Sequence, residues 1–268
     1  MATDADLANA LSTSPLEVVG RLVDSSNNAL VVNVDTTARE GETVAVYKPA
    51  AGERPLWDFP DATLARREVA AYLLSQELGW DHVPMTVWRQ DGPNGPGMMQ
   101  RWIDGDIADE FINLFEPPTV PTGWLPILEG RDANNHPVVL AHHDNEQLER
   151  IALFDFIANN ADRKGGHLIA EQAGSGQHVW AIDHGICFHV EPKLRTVIWG
   201  FVDRQLPELL LTDIQRLIRS FDQFRSLVDS HLSSAEVDAV LARARELVEL
   251  GTFPAPSGQG PAVPWPIF

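Results

Sequence analysis

The sequence has one cysteine, no long apolar run and few basic residues. The single Cys187 excludes an intramolecular disulfide framework and favours a reducing compartment. Because no apolar run reaches the length of about eighteen residues that a bilayer requires, we expect no integral membrane association. The N-terminal residues lack the basic and apolar stretches of a signal peptide, so we expect a cytoplasmic protein.

Basic residues are outnumbered, with 20 Lys and Arg against 38 Asp and Glu, and the formal net charge is −18. Nucleic acid backbones and anionic lipid headgroups bind to basic surfaces. We therefore expect neither nucleic acid nor an anionic membrane among the partners. What the chain does contain is 44% hydrophobic residues, with eight Trp and eleven Phe. This composition is typical of a packed globular protein.

The first part of the chain is predicted to be rich in strands, because apolar and polar residues alternate between turn clusters. We predict strands at 16–24, 29–34, 42–49, 83–89 and 97–103. Between the third and fourth strands, helical spacing predicts a helix over Leu64–Leu78, with Asp61 as N-cap and Gly79 at its end. Residues 1–14 are either a short helix or a frayed end.

The second part of the chain gives mainly helical signals after an irregular, proline-broken stretch. A hairpin is predicted to pair 124–129 with 137–142, and residues 142–144 are predicted to cap a helix at 146–157. Further predictions are strands at 167–170 and 178–183 and helices at 207–222 and 234–249.

These elements predict an α+β protein of two lobes. Residues 1–103 form a small β-rich lobe with one helix, residues 104–250 form a larger, mainly helical lobe, and residues 251–268 form a proline-rich tail. Trp265 and Phe268 favour docking of this tail on the rest of the molecule.

Two carboxylates, Asp162 and Asp183, each stand at the edge of an apolar run. Metal-assisted phosphoryl transfer uses one carboxylate to orient a hydroxyl nucleophile and another to hold the Mg²⁺ that neutralises the phosphates. Upstream, Lys48 ends the third strand and Glu68 lies on the following helix. A strand lysine steadied by a helix glutamate recurs as the phosphate-binding pair of kinases. The four residues together predict a nucleotide-dependent phosphotransferase site.

The loop Asn160–His167 resembles the D-R-H-x-x-N catalytic loop of the phosphatidylinositol 3/4-kinase-like superfamily, and Ile182–Gly185 resembles its D-x-G metal motif. The chain looks more specifically like the short actinobacterial members of that superfamily, over roughly residues 16–225. The resemblance implies a bilobal kinase-like fold with ATP between the lobes.

By the same resemblance, each candidate residue has a role. The candidate catalytic residues are Asp162, as the catalytic base or orienting acid, and its loop neighbours Arg163 and Lys164. Asp183 is a metal ligand, and Lys48 holds the phosphates. The adenine is expected on the backbone of the inter-lobe hinge, which comprises Gln100, Arg101, Trp102 and Ile103.

Three features depart from the usual pattern of such sites. Lys164 replaces the usual histidine of the loop, where it can meet the γ-phosphate, and His167 replaces the asparagine that shares the metal. Because imidazole suits Mn²⁺ better than Mg²⁺, the cofactors implied are ATP with Mg²⁺ or Mn²⁺. The turn with Ser25 and Ser26 lacks a kinase loop's glycines; it either lies over the phosphates through backbone N–H groups or is an ordinary hairpin turn.

The acceptor is expected to be a protein or small-molecule hydroxyl. The run 186–200, where lipid kinases of this superfamily meet the headgroup, offers only Lys193 and Arg195, which disfavours a bulk phosphoinositide. Two alternatives remain open. One is a catalytically weak or inactive nucleotide-binding sensor or scaffold, and the other is a nucleotidyl (AMP) transferase that uses the same parts with the nucleotide reversed.

Overall fold

The computed structural model describes residues 3–22, 28–36, 42–107 and 110–268 of an α+β protein. Its first part contains two helices and five strands. The elements are α1 Asp4–Thr13, β1 Leu16–Arg21, β2 Leu30–Asp35, β3 Glu42–Pro49, α2 Leu64–Leu78, β4 Thr86–Gly92 and β5 Gly95–Arg101. The β-β-β-α-β-β prediction is confirmed, and residues 4–13 are helical rather than frayed.

The five strands form one antiparallel sheet in the order β1-β2-β3-β5-β4. Successive strand residues face opposite sides, so Ala45 and Tyr47 of β3 enter the apolar core under α1. Lys48, one position further along, therefore faces the side on which α2 packs through Ala65 and Val69. The alternation of β3 thus turns its lysine toward the helix that carries Glu68.

Helix α2 is capped in a way that the sequence did not predict. Its N-cap residue is Thr63, whose side chain makes no capping hydrogen bond. Instead, the carboxylate of Glu53 accepts from the backbone N–H groups of Leu64 at 2.9 Å and Ala65 at 2.7 Å. The prediction of Asp61 as the cap is wrong, because Glu53 already satisfies these donors from a distance of eleven residues. Gly79 ends the helix at φ 68°, as predicted.

The second part begins with two three-stranded antiparallel sheets. One has the order β7-β9-β8, from Ile112–Phe115, Pro137–His143 and Trp124–Arg131, and it confirms the predicted hairpin. The other has the order β11-β10-β6, from Gly176–Ala181, Leu168–Ala173 and Asp106–Ile107. The sequence patterns predicted β10 and β11 but neither β6 nor β7.

Four more α-helices lie in the described residues of the second part: α3 Glu146–Ala158, α4 Glu208–Arg219, α5 Phe221–Val228 and α6 Ser234–Leu250. The cap of α3 is Asn145, which accepts from the N–H of Gln147, so the predicted cap by residues 142–144 is wrong. His142 is fully buried instead, and its Nε2 accepts from the N–H of Gly200 at 2.9 Å. The predicted helix 207–222 is divided at Ser220, which leaves the helical backbone conformation at ψ 20°.

The main apolar core lies among α2 to α6 and includes the fully buried Phe154, Phe188 and Phe224. Burial of each such ring stabilises the fold by about 1.5–3 kcal/mol. Cys187 lies in this core with no exposed surface. Among the described ranges, no helix has the length and apolar character needed to span a bilayer.

The tail after α6 docks on the second part of the molecule, as predicted. The carbonyl of Ala262 accepts from the N–H of Thr196 at 3.0 Å and from the indole of Trp199 at 2.8 Å. Further along, the carbonyl of Ile267 accepts from the N–H of Gly165 at 2.8 Å. The tail therefore reaches the loop that carries Asp162.

Candidate active site

Lys48 is held between two carboxylates that come from distant parts of the chain. Its Nζ donates to Glu68 Oε1 at 2.6 Å and to Asp183 Oδ1 at 3.0 Å. Burial by itself lowers the pKa of Lys48, but the nearby charges of Asp183 and Glu68 outweigh burial and hold that pKa above its ordinary value. Strand β3, helix α2 and the segment after β11 thus converge on one permanently charged ammonium group.

Glu68 also fixes the segment that carries Asp183. Its side chain is 2% exposed, and its Oε2 accepts from the backbone N–H of His184 at 3.0 Å. One carboxylate therefore bonds both to the strand lysine and to the residue after Asp183. Contacts within the protein thus orient Asp183 relative to Lys48.

Asp183 has a backbone conformation that few residues other than glycine adopt, with φ 61°. Such a residue costs of order 1–3 kcal/mol and is typical of functional sites. Its Oδ1 meets Lys48, and its Oδ2 lies 3.6 Å from His167 Nε2. The Lys48 ammonium holds the pKa of Asp183 well below its usual range, so this carboxylate is ionised.

Asp162 lies in the loop that follows α3. Asn159 ends α3 in the left-handed conformation at φ 53°, and the N–H of Asp162 then donates to Asn160 Oδ1 at 3.0 Å. Asp162 Oδ2 lies 3.1 Å from Lys164 Nζ. Burial raises the pKa of Asp162 above its ordinary value, although Lys164 lowers it. A partly buried carboxylate with a raised pKa is suited to accepting a proton.

Arg163 does not face the cavity, in contrast to its predicted place among the catalytic residues. Its fully buried guanidinium donates to both oxygens of Asp155, at 2.9 and 3.0 Å. It also donates to the carbonyl of Ile182 at 2.9 Å and lies 2.7 Å from His184 Nε2. Arg163 therefore joins α3 to the segment of Asp183 from behind the site. It positions the two loops and cannot touch a substrate in the cavity.

His167 is placed where it can share a ligand with Asp183. Burial lowers the pKa of its ring to about 4, so the imidazole is neutral at pH 7. Its Nδ1 is buried and, within the described chain, has no hydrogen-bond partner. A neutral imidazole nitrogen and a carboxylate are both competent metal donors. The pair fits a divalent ion that takes its other ligands from phosphates and water, since the described residues contain no group of three or more such side chains.

A cavity of about 690 Å³ opens beside these residues and is lined by Lys48, Glu68, Asp162, Lys164 and Asp183. Further lining residues were not predicted from the sequence; they include Glu53, Arg54, Leu56, Trp57 and Trp265. The segment 51–59 lies between the predicted third strand and the predicted helix. Its tryptophan, Trp57, lies between Pro55 and Pro60 and directly precedes Asp58, and this was the sequence signal that could have marked the segment.

The structure does not bring the predicted hinge residues to this cavity. Gln100 donates its side-chain amide to Thr86 Oγ1 at 2.8 Å. The N–H of Arg101 donates to the carbonyl of Met85 at 2.9 Å, and the N–H of Trp102 donates to that of Val44 at 3.0 Å. These residues and Ile103 are not among those that line the cavity. Ser25 and Ser26 lie outside the described residues.

Comparison with known proteins gives a related sequence and a structural likeness. No protein-family model matches the chain. The chain is 40% identical over 268 residues to Protein Rv2133c of Mycobacterium tuberculosis (strain ATCC 25618 / H37Rv). The aligned region covers 96% of the chain and 94% of the relative. It is similar in structure to the Helicobacter pylori proinflammatory kinase CtkA, with a TM-score of 0.49, 10% identity, and coverage of 91% and 94% of the two chains. At these values the structural likeness says nothing about the activity of this chain.

Proposed function

The chain belongs to the family of Protein Rv2133c, and we propose that it is an ATP-dependent phosphotransferase with a bilobal kinase-like fold. It moves the γ-phosphoryl group of ATP to a hydroxyl of a protein or small molecule. One observation carries this proposal. Lys48 contacts both Glu68 and Asp183, and all three line the same cavity as Asp162.

Lys48 and Lys164 supply the positive charge that binds the phosphates. The ammonium of Lys48 is fixed by two carboxylates, so it is oriented before the nucleotide enters. Catalysis gains when such charges are in place before charge develops in the transition state. Lys164 lies at the Asp162 carboxylate, where it can stabilise the transferred phosphoryl group.

Asp183 and His167 would hold the divalent cation, Mg²⁺ or Mn²⁺. When bound, such an ion neutralises the nucleotide phosphates and makes the γ-phosphorus more electrophilic. The histidine in this pair supports Mn²⁺ over Mg²⁺, since Mg²⁺ prefers oxygen ligands. The chain's own contribution is an ionised carboxylate beside a neutral imidazole.

Asp162 orients the acceptor hydroxyl and takes its proton. Its carboxylate is 27% exposed and lines the cavity, so a substrate atom can reach it. General base catalysis is typically worth 10²–10⁴-fold. Residues 1–103 and 104–250 are proposed as the two lobes, with the nucleotide between them.

One observation favours the alternative in which ATP binds in the opposite orientation and the chain is an AMP transferase. The proposed hinge at 100–103 does not line the cavity beside Lys48, whereas Trp57 and Trp265 do. A base placed toward these tryptophans would turn the α-phosphate toward the acceptor.

Replacement of the usual asparagine by His167 favours the further alternative of a weak or inactive nucleotide sensor.

Substitution of Asp162 by Asn tests the proposed base. The amide keeps the shape of the side chain but cannot accept the proton, so we expect ATP turnover to fall by about 10²–10⁴-fold. ATP affinity, measured by calorimetry with Mn²⁺, is expected to stay within about threefold because Asp162 is not a phosphate ligand. The exposed Asp229→Asn is the control. Equal turnover by wild type and Asp162→Asn would refute the proposed role.

A further inference from the structure

Two tryptophans of this molecule remain in water although both line the cavity. Trp57 is 94% exposed and Trp265 is 87% exposed, the highest values among the large apolar side chains of the described residues. Leaving a large aromatic side chain in water forgoes about 1.5–3 kcal/mol of burial free energy. Their position at one cavity indicates a binding role for this exposed aromatic surface.

Trp57 lies on a segment that is fixed at several points. This cover segment, residues 53–62, begins at Glu53, which bonds to the first turn of α2. Asp58 of the segment forms a 2.7 Å ion pair with Lys193, whose Nζ also lies 5.2 Å from the centre of the Trp57 ring. Phe59 is 7% exposed. The backbone on both sides of Trp57 is thus anchored, and the indole is presented to the cavity at little entropic cost.

Trp265 comes from a different fixed segment. The tail is bonded through Ala262 to Thr196 and through Ile267 to Gly165. Phe268 packs so closely on Gly165 that a Cβ there would lie 2.5 Å from its ring. The tail therefore places Trp265 next to the loop of Asp162. Two independent parts of the chain each contribute one indole to the cavity that contains the proposed base.

We propose that Trp57 and Trp265 bind a small-molecule acceptor with a saturated, hydroxylated ring of the monosaccharide type, an inference that rests on the proposed phosphotransferase function. The indoles pack against the apolar C–H face of the ring, while its hydroxyl edge meets the charged side chains of Arg54, Lys164 and Asp162. Aromatic walls with a few polar groups are the usual composition of small-molecule sites.

The size of the cavity favours a small molecule over a protein. Its volume of about 690 Å³ falls in the range of about 300–1,000 Å³ typical of small-ligand sites. The cover segment and the tail each contribute part of its wall, through Trp57 and Trp265. The acceptor must therefore fit between these segments to bring a hydroxyl to Asp162.

The transfer step balances without another reactant. The ring hydroxyl oxygen forms a bond to the γ-phosphorus as the bond from that phosphorus to the β,γ-bridging oxygen breaks. ADP leaves with the bonding pair, and the hydroxyl proton passes to the Asp162 carboxylate and then to solvent. The products are ADP and the phosphorylated ring.

The test compares acceptors and tryptophan variants in full-length protein. ADP release from ATP with Mn²⁺ is measured with a panel of aldohexoses, aldopentoses and amino sugars, and with a pool of Ser-, Thr- and Tyr-containing peptides. We expect at least one sugar to stimulate ADP release and the peptides to have no effect. Trp57→Ala and Trp265→Ala are expected to raise the KM for that sugar about tenfold or more and to leave the calorimetric Kd of ATP within about twofold.

Trp57→Phe is expected to recover most of the sugar affinity because it keeps an aromatic face, and Leu209→Ala, at an exposed apolar side chain of α4, controls for surface truncation. A parallel loss of ATP affinity in the tryptophan variants would overturn the proposal and place the nucleobase there. Stimulation by peptides alone, or by no member of the panel while ATP is still hydrolysed, would also overturn it. Absence of ATP turnover in wild type with either metal would instead refute the phosphotransferase function itself.

Discussion

Asp183 is held in an unfavourable backbone conformation by contacts within the candidate site. Its positive φ is unfavourable for an aspartate, yet the conformation lets one oxygen contact Lys48 while the other lies near His167. The bond from the next residue, His184, to Glu68 holds it in place. In the proposed mechanism, the ionised carboxylate is therefore oriented before a nucleotide binds, which lowers the reorganisation needed for catalysis.

His82 provides a residue-scale prediction about pH. Its ring is 3% exposed, packs edge-on against Phe154, and neither ring nitrogen has a hydrogen-bond partner in the described structure. Burial lowers the pKa of His82 to about 3. The folded-state pKa is thus depressed, so the stability that it contributes is present above the ordinary histidine pKa and is lost as pH falls below it.

As pH falls from 7.5 to 5.5, we therefore expect His82 to reduce the free energy of unfolding by about 1.4 kcal/mol, because the His82 ring takes up a proton only in the unfolded chain. His82→Phe cannot protonate and fills a similar volume, so it should remove this part of the pH dependence. Urea unfolding of both proteins at the two pH values measures the difference. Identical pH dependence in both proteins would contradict this account of the buried ring.

Residue-level sequence reasoning selected residues that lie together in the fold, but it did not predict the direction of every side chain. Lys48, Glu68 and Asp183 were selected by type and order, and the structure brings them into contact. Arg163 was selected with them because it follows Asp162, but it is buried against Asp155. Sequence order places a residue on a loop, whereas the side of the loop that its side chain takes depends on tertiary partners.

At the scale of elements, helix α2 carries Glu68, so its stability bears directly on the site. Its first-turn N–H groups are satisfied by Glu53 from the cover segment rather than by a neighbouring N-cap. The cap therefore links the helix to the segment that presents Trp57. A change at Glu53 should affect both the helix and the wall of the cavity.

We expect Glu53→Ala to lower the free energy of unfolding by about 0.5–2 kcal/mol, the usual cost of losing a helix cap. Asp61→Ala, at the position that local sequence rules favoured, should have an effect of less than about 0.5 kcal/mol, as is usual for surface substitutions. Chemical denaturation of the two variants measures both values. A larger loss for Asp61→Ala than for Glu53→Ala would contradict the observed capping arrangement.

Elements with a regular local pattern were predictable, and elements defined by distant partners were not. The bounds of β3 and α2 follow from alternation, helical spacing and Gly79. Strand β7 was missed because its pairing with β9 requires a partner more than twenty residues away. The break at Ser220 was missed because the apolar pattern continues from α4 into α5, where Phe221 and Phe224 are buried.

At the scale of the whole molecule, the proposed function requires a chain of net charge −18 to bind a polyanionic nucleotide. It does so, in this account, by concentrating Lys48, Arg54 and Lys164 at one cavity. Local charges at contact distance outweigh distant ones, because salt screens interactions beyond about 8–10 Å. The acidic surface elsewhere is consistent with a small or uncharged acceptor rather than with nucleic acid or an anionic membrane.

The most direct test of the phosphotransferase account is phosphorus NMR of ATP that has been incubated with the full-length protein. The reaction is started with Mn²⁺ and stopped with a chelator before the spectrum is recorded. We expect ADP to accumulate together with inorganic phosphate or, with an acceptor present, a new phosphomonoester, and Asp162→Asn to abolish this change. Accumulation of AMP or pyrophosphate would contradict γ-phosphoryl transfer and establish nucleotidyl transfer. ATP that remains intact with both Mg²⁺ and Mn²⁺ would contradict the enzyme function altogether.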